Sequence, residues 1–474
     1  YMYSFMKNEL SRPLDVHCWS EYSEVNYFVN LIFEEHFRWQ NPDLIKKHLK
    51  VALLDLYVAW NEHQDMKIGV HMNRNAYKAK SRYNALNISH KIIDVVKRLH
   101  EIGFINLTTG FYDPTGRLSR VTRVWSTKEL ISKFKSAKFT THHVNHISNQ
   151  EVIILRDSNK KDIPYDDDAE IIRMRNVLNE YNNLLKQTFI DIPELDKPII
   201  ETNDKYIPIS SNERLVRRIF NNASWKDGGR FYGGWWQRVP SFFRSKIYLN
   251  NEGTIEDDYR SLHPILLYAN KGLDYIKLKR GDAYDIHVSN INDKDDKRKL
   301  VKRLMLIAIN AKDEVTTFRA VKSDLQEEIP YFSFKFDDLK LILNNLKEKH
   351  HEIADDFCTG KGLQLMNLDG KIAEYIIDKF TQNNIPVLCI HDSFVVPRSK
   401  DDFLRRTMNE AIVNITNQGL PNIDRKGLGL HEINSVKHLD RDLYLDRMIH
   451  LSETAPNRSE GYLYRKQLFE EYSG

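Results

Sequence analysis

Cysteine is scarce: three residues, Cys18, Cys358 and Cys389, stand in 474, and none belongs to a CxxC pair. That argues against a disulfide framework and against a cysteine-rich zinc site, and it fits a reducing interior, either bacterial cytoplasm or the inside of a host cell. Net charge is also small: 70 Lys and Arg against 66 Asp and Glu leave +4. A uniformly basic nucleic-acid coat protein is excluded, and any polyanion site must be local. Long apolar runs are missing. Leu304 to Ala308 and Ile385 to Ile390 are among the most apolar stretches, far short of the roughly 20 residues that cross a bilayer, so no membrane partner is expected. Residues 1 to 7 lack a basic segment followed by an apolar one, so no signal peptide is read. No internal repeat or long low-complexity segment is found. What is present is ample: 474 residues, at about 150 per domain, suggest about three domains, and 41% of them are hydrophobic.

Leu44, Ile45, Leu49, Ala52, Leu53, Leu56 and Ala59 recur at helical spacing after Pro42-Asp43, which predicts a buried-face helix from Asp43 to about His63. Asn87 or Ser89 can cap a second helix through Ile92, Ile93, Val96, Leu99 and Ile102, with Gly103 ending it. Phe104 to Leu107 reads as a strand, Gly110 to Gly116 as a turn, and Leu118 to Trp125 as a returning strand carrying Arg120 and Arg123. Helices followed by a basic hairpin suggest a winged helix. Residues 78 to 136 hold 12 Lys and Arg against 4 Asp and Glu, more excess than the whole chain carries. Such a module would place Arg117, Arg120 and Arg123 on DNA phosphates; the plainer reading is a structural or protein-binding winged helix.

Residues 136 to 165 read as a connector, and His142, His143 and His146 lack any acidic or cysteine set at metal-ligand spacing. Asp166-Asp167-Asp168 precedes Ile171, Met174, Leu178, Tyr181 and Leu185, an amphipathic helix with acids at its positive end. The triplet is read as a helix-start device.

Residues 214 to 247 hold 8 Lys and Arg against 1 acid, interleaved with Trp225, Phe231, Tyr232, Trp235, Trp236, Phe242 and Phe243. This mixture suits phosphate contact with base or sugar packing, or else an aromatic core strand with solvated arginines. Arg230, after Gly229, and Gln237, before Val239-Pro240, resemble the Gly-Arg and Gln-x-Ile-Pro block with which family A DNA polymerases touch primer and template. Ile255-Glu256-Asp257-Asp258-Tyr259 resembles their motif A, whose Asp-Tyr register matches Asp258-Tyr259; the resemblance implies a nucleotide contact at Tyr259, and Asp257 is then a surface or supporting acid. Gly281 to His287 resembles the segment before the fingers helix, on which Arg298 and Lys302, four residues apart, share a face. In the family that pair grips the triphosphate. Leu363 to Gly370, with Gln364, resembles the layout before motif C. Leu388-Cys389-Ile390-His391-Asp392-Ser393-Phe394 resembles motif C itself, in the His-Asp-Ser-Phe form of phage single-subunit RNA polymerases. His391 is either a primer-terminus contact or a buried structural histidine.

In this order the blocks cover roughly residues 228 to 397, and the chain resembles the transposon- and virus-encoded polymerases, compact relatives of family A DNA polymerases and phage-type RNA polymerases. The resemblance implies an α+β fold with a right-hand palm and fingers: a helical and winged-helix domain at 1–135, a connector and thumb-like helices at 136–225, palm and fingers at 226–400, and a helical extension at 401–474. It implies DNA polymerase activity combined with primase activity, acting on a DNA template, a primer and nucleoside triphosphates. Two Mg²⁺ ions, with Mn²⁺ as an alternative, would be held by Asp258 and Asp392 about 3.5–4 Å apart to activate a 3′-hydroxyl and stabilise pyrophosphate.

Two departures bear on substrate. Where family A carries a glutamate steric gate, five residues after the motif A aspartate, this chain has His263, which leaves sugar choice open. Where a tyrosine follows the motif B lysine by eight residues, this chain has Asn310, able to bond the sugar or simply to end a helix. The alternatives are a small single-subunit RNA polymerase, or a non-catalytic DNA-binding initiator that keeps a polymerase-like body.

Overall fold

In the computed structural model, which describes residues 10–37, 41–114, 119–202, 206–209 and 213–472, Pro42 opens a helix running Pro42–Glu62. Proline has no N–H to lose at that position. This helix buries Leu49, Leu53 and Leu56 against helices Ser23–His36 and Lys91–Glu101. Gly103, at φ +78°, lets the chain turn out of the third helix into strand Ile105–Thr108. That strand pairs antiparallel with Thr122–Ser126, and Phe111 bridges Arg120 beyond it, while the expected strand start at Leu118 lies outside the described residues. Strands Lys67–Val70 and Ser11–Pro13, unsignalled in the sequence, extend the hairpin to four strands. These elements share one hydrophobic core.

The 136–165 stretch is no free connector. Strand Asn145–His146 pairs with Cys18–Trp19, and Ile153–Leu155 runs parallel to Arg217–Asn221. The reason lies in Val152 to Leu155, four consecutive buried apolar residues, three of them β-branched and suited to a buried strand. Asp168 accepts the Ile171 amide at 2.8 Å as an N-cap for helix Ala169–Lys186. Asp167 instead bridges Arg82 and Arg175.

A second, larger core surrounds two sheets. In one, strand Ser224–Tyr232 pairs antiparallel with Arg217–Asn221. In the other, Glu252–Tyr259 is central: Ser393–Pro397 pairs along one side, with Leu388–Ile390 beyond it, and Ile423–Lys426 pairs along the other, all antiparallel. Helix Gly362–Gln382 crosses the first sheet so closely that a Cβ on Gly370 would lie 2.2 Å from the Gly229 carbonyl oxygen. Only glycine permits that approach. The last helix, Glu460–Tyr472, docks by Tyr462 and Phe469 on Phe189 and by Arg465 on Asp191. The chain is thus mixed α+β. Among the described residues no helix is long and apolar enough to cross a membrane.

Candidate active site

Strand alternation separates the two acids of Glu252–Tyr259. Asp257 is fully buried, and Arg425 binds both its oxygens at 2.7 Å while also reaching Asp401. It is therefore a buried structural acid rather than a surface one. Asp258 faces the other side with Glu256, which Arg244 holds bidentately and to which Ser393 and Lys426 also bond. Tyr259 turns back into the core, 3% exposed, and its hydroxyl donates to the Met408 carbonyl. The nucleotide contact expected of it is corrected: burial has already taken its polar end.

Asp258 pairs in register with Ser393, and the Tyr259 amide reaches the Asp392 carbonyl at 3.5 Å, so the two aspartates lie side by side. Burial, then the charge of Asp392, pushes the Asp258 carboxyl up to about 7. Its Oδ1 is buried without a hydrogen-bond partner. Leu388–Ile390 and Ser393–Pro397 are joined through His391 and Asp392, and His391 takes φ +58° to make so tight a turn. The His391 Nδ1 is buried and unpartnered, its ring centroid is 5.5 Å from that of Tyr232, and burial with the nearby Arg230 lowers its basicity.

A third acid joins this pair. Asp369, 1% exposed on helix Gly362–Gln382, is ion-paired to Arg230 and pushed up to about 6 by burial, with Asp392 adding to the effect. Arg230 also donates to His263 Nε2 at 3.0 Å. Arginine cannot accept, so the His263 proton sits on Nδ1, and burial beside Arg230 lowers this imidazole to about 4. Asp369 carries no signal in the sequence beyond being one acid on an apolar helix face. Its Arg230 partner lies 139 positions away.

Helix Lys294–Asn310 begins at Asp293, whose side chain caps two amides. Lys302 is exposed, forms no ion pair among the described residues, and lies near enough to Asp258 to favour its charged form. Arg298 is held at 2.9 Å by Asp282, over the Tyr284 ring. Asn310 ends the helix, exposed, donating to the Leu306 carbonyl. Gln364 is exposed at the start of its helix.

Gln237 departs from its expected primer contact: it donates to the Phe231 and Cys389 carbonyls and accepts from the Gly233 amide, tying its block to the hairpin strand. Arg123 is 8% exposed, so it does not lie along phosphates. Its position within the central pairing of the four-stranded sheet explains that burial. Arg120 is half-buried near the hairpin tip, its backbone bonded to Phe111. Arg117 lies outside the described residues.

The site's donors suit a hard divalent cation: two adjacent carboxylates, one with an orphaned buried oxygen. Among the described residues no three or more His, Cys, Asp or Glu side chains form a ready cage.

No known family model matches the chain, and neither does any curated protein. Among solved structures, the POL domain of Pol1 from M. smegmatis, in complex with DNA primer-template and dNTP, is similar at a TM-score of 0.27 and 9% sequence identity. The match covers 84% of this chain and 65% of that one, so the chain spans less than two thirds of that domain's length.

Proposed function

We propose that the chain is a template-directed nucleotidyltransferase, a DNA polymerase with primase activity whose residues 226–400 act as palm and fingers. The observation carrying this reading is the pairing of strand Glu252–Tyr259 with the His391-Asp392 hairpin, which sets Asp258 beside Asp392 with one buried oxygen unbonded. Asp258 and Asp392 would hold Mg²⁺, which when bound lowers the cost of forming a 3′-alkoxide and of releasing pyrophosphate. Lys302 and Arg298 bind the triphosphate of the incoming nucleotide, Arg298 after leaving Asp282. Arg230, held by Asp369, orients His263 so that its Nδ1–H faces the nucleotide sugar. Glu256, clamped by Arg244 and Lys426, keeps the strand that carries Asp258 in place. The four-stranded N-terminal sheet and its helices serve as the winged-helix DNA contact, through Arg120 rather than Arg123.

The test is extension of a labelled primer on a DNA template with Mg²⁺, using deoxynucleotides or ribonucleotides, for the wild type and Asp392→Asn. Deoxynucleotide extension that falls at least 100-fold in the variant is expected; equal activity of the two proteins removes the assignment. The second reading, a single-subunit RNA polymerase, is favoured by His391-Asp392-Ser393-Phe394 and by His263 in place of a glutamate. It would incorporate ribonucleotides only.

A further inference from the structure

A cavity of about 580 Å³ lies between the N-terminal elements and the block that ends at Arg238. Its walls are charged, and almost every charge is spoken for. Arg12 pairs with Asp55 at 2.6 Å and with Glu62 at 3.1 Å. His146 pairs with Asp15 at 2.6 Å, and Arg238 with Glu213. The exception is Arg217, which has no hydrogen-bond or ion-pair partner among the described residues and whose Nε is shut away from solvent. Arg217 is half-buried, with its Nε desolvated, and Asp15 and Asp162 attract it without a direct ion pair, so its place in the cavity wall leaves room for an anion that completes it.

Two further observations say where such an anion belongs. Arg217 is the cross-strand partner of Tyr232, so guanidinium and phenol line the cavity together. Tyr232 is also the ring that meets His391 edge-on, one residue from Asp392. Tyr232 thus joins the cavity wall to the turn that carries Asp392. Its volume falls within the range of small-ligand sites and is far too small for a duplex. A single nucleotide offers what these walls lack: a phosphate for Arg217 and a planar base for Tyr232.

We infer that this cavity seats a 5′-phosphorylated initiating nucleotide, so that the first phosphodiester bond is made from a lone nucleotide rather than from a primer. The inference rests on the polymerase reading above and adds to it a second nucleotide site, built by Arg217 and Tyr232 and closed by the N-terminal elements. In the step it serves, the 3′-oxygen of the seated nucleotide loses its proton to solvent and bonds to the α-phosphorus of the incoming triphosphate. The bond from that phosphorus to the bridging oxygen of the β-phosphate breaks, and pyrophosphate leaves with the electron pair.

The experiment measures two Michaelis constants on one template with Mg²⁺: that of the first nucleotide in primer-free dinucleotide synthesis, and that of the incoming nucleotide in extension of a preformed primer. Their ratio is compared between the wild type, Arg217→Met and Tyr232→Leu, with thermal melts to confirm folding and Arg217→Lys as the charge-keeping control. The ratio is expected to rise about tenfold or more in the first two variants, the size of a lost charged hydrogen bond, and less in Arg217→Lys. With the wild type, a nucleoside triphosphate or monophosphate should initiate better than the unphosphorylated nucleoside by a similar factor. An unchanged ratio overturns the inference. Both constants rising together overturns it as well, making Arg217 a primer-phosphate contact. Primed extension without any primer-free product removes the seat but leaves the polymerase reading intact; no synthesis in either arm removes both.

Discussion

Asp258, on strand Glu252–Tyr259, lies beside Asp392 in the turn that leads into Ser393–Pro397, and the two segments meet where the Tyr259 amide reaches the Asp392 carbonyl. Burial, with the like charge of Asp392 adding to it, raises the Asp258 carboxyl to about 7 from an ordinary value near 3.8. The arrangement costs the fold something that a divalent cation would return.

The pH dependence of stability follows from that shift. A group whose folded pKa is raised stabilises the fold below its unfolded value and loses that contribution as pH climbs through the folded one, here between 3.8 and about 7. Asp258→Asn removes the penalty. The variant should melt about 1–3 °C above the wild type at pH 8 and level with it at pH 4. Mg²⁺ should raise the wild-type midpoint at pH 8 and leave the variant's unmoved. Equal midpoints at both pH values would show that the Asp258 carboxyl is not raised in the folded protein.

The neighbouring acid behaves oppositely. Asp257→Asn removes the bidentate partner of Arg425, a mostly buried cation that Asp401 and Glu432 then have to balance. A loss of roughly 3–5 kcal/mol is expected on breaking one side of a buried pair. Urea unfolding of Asp257→Asn beside Asp258→Asn checks this: adjacent positions, one destabilised and one stabilised at pH 8. A mild effect at Asp257 would mean that Arg425 finds solvent.

Local signals made part of this legible. The apolar run ending in an acid, the tight His391-Asp392 turn and the Arg298/Lys302 spacing are each readable within a dozen residues, because strand alternation and helical periodicity are local. Asp369 beside Arg230 is not, since nothing near either residue announces a partner 139 positions away. The same distance problem hid the extra strands Ser11–Pro13 and Lys67–Val70 and the ties of Ile153–Leu155. Tyr259 and Gln237 misled for another reason: their motif positions say nothing about which carbonyl their polar ends reach.

Nucleotide affinity should depend unequally on the two cations of helix Lys294–Asn310. Lys302 forms no ion pair among the described residues, so Lys302→Ala should raise the Michaelis constant of the incoming nucleotide about tenfold. Arg298 starts from an ion pair with Asp282, 2.9 Å away. Releasing it by Asp282→Asn should lower that constant a few-fold, because a half-exposed pair of this kind contributes under about 1 kcal/mol. Primed steady-state kinetics distinguishes the two directions, and a rise in Asp282→Asn would make the ion pair a brace for the helix rather than a competitor.

Gly370 tests whether the third acid depends on helix placement. A methyl group there would press on the Gly229 carbonyl, one residue before Arg230. The helix must then lift from strand Ser224–Tyr232, at a cost of about 1–3 kcal/mol for overpacking. Lifting it also draws Asp369 away from Arg230, and with that the arginine that fixes the His263 tautomer. Gly370→Ala should therefore unfold at lower urea and, at a temperature where it remains folded, incorporate nucleotide more slowly with a changed preference between ribose and deoxyribose. A variant that loses stability while keeping the wild-type sugar preference would show that His263 is oriented without Arg230.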